Sequence, residues 1–317
     1  MKKDKYVISD KDQLEKLIKE AGFNRSELAR ALEVSYRTVY RWLDRGVNPQ
    51  PAQAQRIDEL FKENIDLSPF IIQLKKKISD PINILRKEEK IREELFLLLT
   101  YNSNAIEGSR MTLKETEMAI EGKKVRGKEL FEVLEAINHK NALLYMLEVI
   151  KPGFQITKKY ILELHSIVMY NFNNKLPGKY RNGFVNLTNT EKKLPSAQMI
   201  PVKMRQFLKN VNNYKEKNVI KKIALDHYEF EAIHPFFDGN GRVGRLIMLT
   251  QLLCHGFPPA IIEVGDRTKY YLGLGRGDYG DFRILVQMVC ESILKGHNLF
   301  KTSARYRRLV LSKISHG

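Results

Sequence analysis

The run His234-Pro235-Phe236-Phe237-Asp238-Gly239-Asn240-Gly241-Arg242-Val243-Gly244-Arg245 gathers the residue types that phosphorus chemistry needs. His234 can take a proton from an attacking hydroxyl. Asp238 can hold Mg²⁺ against phosphates. The Gly239-Asn240-Gly241 turn leads into an apolar stretch, Val243 to Leu249, whose spacing predicts a helix. The free amides and the dipole at that helix start favour phosphate oxygens. Arg242 and Arg245, three apart, add charge-assisted contacts. A base, a metal ligand, an anion nest and two cations together suit transfer of a phosphorus group. The three glycines also satisfy G-x-G-x-x-G, but the dinucleotide reading needs a β-strand just before the first of them. Here the approach, Ile223 to Phe230, has helical apolar spacing, which argues against a Rossmann unit.

The elements that must position this loop are read from apolar periodicity, which is helical almost throughout. The expected fold class is all-α: a compact helical unit at residues 1–65, a charged helical connector at 66–100, a larger helical domain at 101–300 and a basic tail at 301–317. One stretch breaks the helical rule. Pro177-Gly178-Lys179-Tyr180-Arg181 is turn-like, and Phe184 to Leu187 and Lys193-Leu194-Pro195 flank the polar Thr188-Asn189-Thr190-Glu191. This predicts a short β-hairpin on the helical body.

With 317 residues and 43% apolar content the chain can bury at least one sizeable core. No apolar run approaches the roughly 18 residues of a membrane span, and the charged start, Met1-Lys2-Lys3-Asp4-Lys5, has no apolar region behind it to make a secretory signal. Cys254 and Cys290, the only cysteines, are too few for a disulfide framework or a metal ribbon. Both lie in apolar helical contexts, and buried free thiols point to a reducing cytoplasm. The formal charge of +17 favours nucleic acid, nucleotides or acidic protein surfaces without choosing among them.

Leu28 to Trp42 reads as helix, tight turn and second helix. Leu28, Ala29 and Leu32 give one apolar face, Ser35 is a suitable N-cap, and Val39 and Trp42 bury the second helix. This string resembles the helix-turn-helix of Cro/repressor-like DNA-binding domains, with Glu33 where that family usually has glycine. Tyr36, Arg37, Thr38 and Arg41, with Tyr40, are then the face suited to base edges and phosphates in a major groove. Such domains often dimerise, so a homodimer is a possible state.

The loop from His234 to Arg245 resembles the signature of the Fic family, His-Pro-Phe-x-Asp-Gly-Asn-Gly-Arg-x-x-Arg, with every fixed position present, and the likeness runs over residues 80–300. It implies an all-helical fold and protein adenylyl transfer, with ATP as AMP donor, Mg²⁺ as cofactor and a protein as acceptor. It implies His234 as general base and Asp238 as the Mg²⁺ ligand. Asn240 with the amides of Gly239, Gly241 and Gly244 would hold the α-phosphate beside Phe236, and Arg242 and Arg245 the distal phosphates. The hairpin resembles the family's flap, which would pin a target segment at Leu187 and Leu194. Tyr270 and Tyr271 resemble the aromatic pair near adenine, and Asp278 stands where some relatives have asparagine.

Upstream, Ser103-Asn104-Ala105-Ile106-Glu107-Gly108 resembles the family's inhibitory motif, in the subclass with an N-terminal inhibitory helix. It implies that Glu107 pairs with Arg245 and denies that arginine to the γ-phosphate. In the residues themselves Gly108 also fits an ordinary helix end. Three functions follow: an autoinhibited AMP transferase with a DNA-binding domain, a nucleotide-sensing transcription regulator, or a hydrolase that uses Glu107 to remove AMP.

Overall fold

The computed structural model describes residues 8–76, 80–172, 177–185, 193–215 and 218–302. The chain forms two compact units, Met1–Phe70 and Ile71–Gly317. All regular structure among the described residues is helical.

The first unit holds α1 (Asp10–Ala21), α2 (Arg25–Ala31), α3 (Tyr36–Asp44) and α4 (Pro51–Asn64). Side chains written in the sequence set the helix starts. Ser9 and Asp12 cap α1 reciprocally, Asn24 and Glu27 cap α2, and Ser35 accepts from the Thr38 amide to start α3. Leu14, Leu17, Leu28, Leu32, Val39, Trp42, Ile57 and Phe61 meet in its core. Between α2 and α3 the chain turns through Glu33 at φ +54°, a left-handed conformation that a side chain disfavours by about 1 kcal/mol. The Glu33–Arg56 ion pair, 2.7 Å long but exposed, offsets little of this. Glu33→Gly should therefore stabilise this unit by roughly 0.5–1 kcal/mol, seen as a rise of its thermal midpoint in the full chain.

α5 (Ser68–Lys75) runs across the boundary between the units. The second unit then holds α6 (Pro81–Lys87), α7 (Glu89–Ile106), α8 (Leu113–Ile120), α9 (Leu130–Val149), α10 (Lys158–Val168), α11 (Ile200–Val211), α12 (Val219–Ile233), α13 (Asn240–Cys254), α14 (Arg267–Gly277) and α15 (Arg283–Thr302). α13 is buried on every face from Arg242 to Leu253, which makes it the central helix. It packs against α12, α10, α9 and α7. Gly244 lets α12 come close, since a Cβ there would collide with Glu231 and crowd Phe230 and His227.

The stretch expected as a charged connector contributes to this core. Ile82, Leu85, Ile91, Leu95 and Phe96 join the main apolar cluster. Arg86, though exposed, caps the end of α9 by donating to the carbonyls of Leu147, Glu148 and Ile150. Of the two thiols, Cys290 is buried and Cys254 half-buried. No described helix is long and apolar enough to cross a membrane.

The expected β-hairpin is not found among the described residues. Phe184, Val185 and Lys193-Leu194-Pro195 carry no strand. Pro195 has no N–H for a ladder, and a side chain holds this region together instead, as described below. Leu187 and the turn Thr188 to Glu191 lie outside the described residues, as do Arg305 to Arg308 of the basic tail.

Candidate active site at the start of the central helix

α12 ends at Ile233, and His234 caps it in the left-handed conformation, φ +49°, with Pro235 ruling out another helical turn. The loop then turns over Phe236, which is fully buried with its ring stacked on His165 at 3.7 Å. Asn240 closes the loop on itself: its Oδ1 accepts from the Phe236 amide and its Nδ2 donates to the Phe236 carbonyl, both at 2.9 Å. In this geometry the Asn240 side chain, expected beside phosphate, bonds the loop backbone. Asn240 is 2% exposed, and its amide is committed to the loop backbone. The open groups at this point are the backbone amides that begin α13.

His165, on α10, was not singled out in the sequence. The Gly178 amide donates to its Nδ1 at 3.0 Å, so Nε2 carries the proton and donates to the Asp238 carbonyl at 3.1 Å. Asp238 itself reaches solvent, its Oδ1 touching the Gly239 amide and, at 3.3 Å, Arg242. Arg242 is 2% exposed and pairs with Glu135 of α9 at 2.8 Å. Arg242, expected at the distal phosphates, thus stands here in a buried ion pair. Burial raises the Glu135 carboxyl above its ordinary value, and Arg242 opposes that shift.

Arg245 lies one turn further along α13. Its Nε donates to Ser103 Oγ and its Nη2 to the Ser103 carbonyl, each at 2.9 Å, and Nη2 meets Glu107 Oε1 at 2.8 Å. Glu107 is the C-cap of α7, and Gly108 follows at φ +107°. Gly241 makes room for the Glu107 carboxylate, because a Cβ there would collide with Oε1. Ser103 and Glu107 are therefore in direct contact with the start of α13 and with Arg245.

Tyr270, expected beside adenine, is 1% exposed. Its hydroxyl meets His227 Nε2 at 2.9 Å and Arg245 Nη1 at 3.5 Å, so it packs behind the arginine. Tyr271 is half-buried, with its hydroxyl on the Ile106 carbonyl. Asp278 accepts from the Tyr228 hydroxyl at 2.8 Å. Glu231, one turn before His234, was also missed; its buried Oε1 has no donor among the described residues, and burial pushes its carboxyl up to about 8.

Arg181 is another residue that motif reading passed over. It is 2% exposed. Its amide donates to the Pro235 carbonyl and its Nε to the His234 carbonyl, while Nη1 and Nη2 reach the carbonyls of Gly183 and Pro195. One guanidinium thus holds the backbone of His234 and both ends of the expected flap. No motif marks it; the sole signal is a basic residue in a turn-like stretch.

Burial holds His139 and His227 down to about 3 and His165 and His234 down to about 4. Nearby arginines add to the effect: Arg245 and Arg242 for His139, Arg181 for His234. Each folded value lies below the ordinary 6.5, so folding favours the neutral ring. That contribution is complete above about pH 6.5 and is withdrawn as pH falls toward about 4 for His165 and His234 and about 3 for His139 and His227. His139, His165 and His227 should each cost at most about 1.4 kcal/mol per pH unit in that window. Calorimetry from pH 7.5 to 5 should show a falling thermal midpoint, and a flat one would contradict these assignments.

The single exposed carboxylate of Asp238, beside the first amides of α13, is of the kind that suits Mg²⁺, which keeps several waters and leans on substrate phosphates. Among the described residues no cluster of three or more His, Cys, Asp or Glu could hold a metal by itself.

Comparison with known proteins matches residues 155–252 to the Fic/DOC family and residues 14–46 to a homeodomain-like domain. The second match bears out a helix-turn-helix, here of homeodomain-like type. A protein named protein adenylyltransferase Fic from Nematostella vectensis is 35% identical over 224 residues, 68% of this chain and 51% of its own. A protein of that name from Drosophila virilis is 32% identical over 212 residues, 67% of this chain and 44% of its own. The chain thus spans about half the length of these curated relatives. A Fic-domain signalling protein from Bacteroides thetaiotaomicron superposes with TM-score 0.64 at 23% identity, over 73% of this chain and 96% of that one. A Fic-1 fragment from C. elegans gives 0.65 at 24% identity, over 92% and 87%. Both establish the fold. With the signature loop inside the matched segment and the same helical fold around it, the chain carries a Fic/DOC family domain, with a helix-turn-helix unit ahead of it.

Proposed function

We propose that this protein transfers AMP from ATP to a Ser, Thr or Tyr hydroxyl of a target protein, that Glu107 restrains the reaction, and that the first unit binds DNA. The observation that carries the reading is the convergence of His234, exposed Asp238 and the amides of α13 on one loop, with Arg245 held by Glu107 beside it. The target hydroxyl oxygen would attack the α-phosphorus. The bond from that phosphorus to the bridging oxygen would break, and pyrophosphate would leave with its electron pair. His234 would take the hydroxyl proton. Its Nδ1 is buried, which leaves Nε2 as the basic atom.

The α13 amides with the Gly239-Asn240-Gly241 turn would bind the α-phosphate. Arg245, once freed, would meet the γ-phosphate, while Arg242 would align Asp238. Asp238 would hold Mg²⁺, which when bound offsets phosphate charge. Phe236 would support the loop from beneath, Tyr271 would line the nucleoside side, and Leu194 would stand at the target side. In the first unit, exposed Tyr36, Arg37 and Arg41 with half-buried Thr38 support DNA contact by α3.

The test is incubation with Mg²⁺ and ATP labelled at the α-phosphate, beside Glu107→Gly and His234→Ala. Label on protein that needs His234 supports transfer. Label that survives loss of His234 would sink it, and nucleotide binding without label in any variant would favour the sensing regulator.

A further inference from the structure

The last turn of α7 is gripped from a second direction, by the first turns of α14 and the segment just before it. Arg267 Nε donates to the Ile106 carbonyl at 2.7 Å, and the Tyr271 hydroxyl reaches the same oxygen at 3.4 Å. The Arg267 guanidinium lies 5.2 Å from the centre of the Tyr271 ring, so the two donors are held side by side. One turn earlier the Val264 amide donates to Asn102 Oδ1 at 2.9 Å.

Ile106 directly precedes Glu107, and its carbonyl is among the last four of α7, which have no acceptor role inside the helix. An arginine there satisfies an orphan carbonyl and meets the negative end of the helix dipole. The consequence lies one residue on. Fixing the Ile106 peptide fixes the point from which the Glu107 side chain departs toward Arg245. The Arg245 contacts to Ser103 and Glu107 come from α13, on a different element, so the end of α7 is held by two independent sets of bonds.

We propose that Arg267 is a positioning residue that latches the end of α7 through the Ile106 carbonyl and so keeps Glu107 on Arg245. This rests on reading Glu107 as the brake on AMP transfer. Tyr271 shares the latch, so the residue nearest the nucleoside side also bears on the brake.

The test compares Arg267→Met, which keeps the aliphatic stem over Tyr271 and loses the donor, with Arg267→Lys, which keeps a cationic donor. In the nucleotide-free full chain, amide hydrogen exchange over residues 103–108 should speed up roughly tenfold in Arg267→Met, the worth of one hydrogen bond from a charged donor, and less in Arg267→Lys. Basal labelling from ATP should rise by a similar factor, and Glu107→Gly with Arg267→Met should label no faster than Glu107→Gly alone. Exchange and labelling unchanged in Arg267→Met would overturn the latch, as would additive effects in the double variant. If Glu107→Gly yields no label while exchange still quickens in Arg267→Met, the AMP-transfer reading fails and the latch stands.

Discussion

Glu107→Gly should raise the rate of label transfer from α-labelled ATP by roughly 5- to 150-fold, the span of a coupling of about 1–3 kcal/mol. Two features of the pair set this expectation. Glu107 Oε1 lies 2.8 Å from Arg245 Nη2, which occupies the guanidinium. The same oxygen stands against Gly241, over the first turn of α13, where a phosphate oxygen would otherwise approach the free amides. A glycine removes both the competing charge and the bulk, while Ser103 still orients Arg245 through its Oγ and carbonyl. Glu107→Gln removes the charge alone and should give a smaller increase. The fold should tolerate either change, because the Glu107 side chain is about a third exposed. An initial rate in Glu107→Gly equal to that of the unsubstituted chain would remove the brake from this account.

The second large effect is loss. His234→Ala should lower labelling on the order of 10²- to 10⁴-fold, the usual contribution of a general base, with ATP binding retained when measured by calorimetry. The unsubstituted chain adds a finer check. Burial, and then the Arg181 charge, hold the His234 imidazole down to about 4. The base is therefore unprotonated at every pH well above 4, and the rate should stay level from pH 8 to 5.5. An inflection at the ordinary histidine value near 6.5 would mean that the ring is not held low in the working protein.

Much of the second unit was legible because its signals are local. The His234-to-Arg245 run carries its turn, its helix start and its charges in consecutive residues, and the Ser103-to-Glu107 spacing places both contacts with Arg245 on one face of α7. The side chains that govern the loop from afar were not legible. Glu135, His165 and Arg181 sit on other elements, 107, 73 and 53 positions from the partners they hold. Their types are ordinary and no spacing joins them to the loop. The internal partners of Asn240 and Tyr270 were hidden for a related reason. A polar side chain in a binding motif suggests a ligand, but buried amides and hydroxyls must find partners inside the protein first. Asn240 found the Phe236 backbone and Tyr270 found His227. The role of Arg86 as the cap of α9 was equally hidden, because it is one of several exposed charges in that stretch.

Arg181 joins the carbonyls of Gly183 and Pro195 to that of His234. The stretch between residues 183 and 195 is thereby anchored at both ends by a group that its own sequence does not encode. Lengthening an anchored segment is cheap, with each doubling costing only about 0.6 kcal/mol of closure entropy. Mutation can therefore rewrite or extend this stretch while the histidine backbone keeps its support. If this stretch also positions the target, as its resemblance to the flap implies, the choice of target becomes an evolvable module, separable from the chemistry and inherited with one arginine.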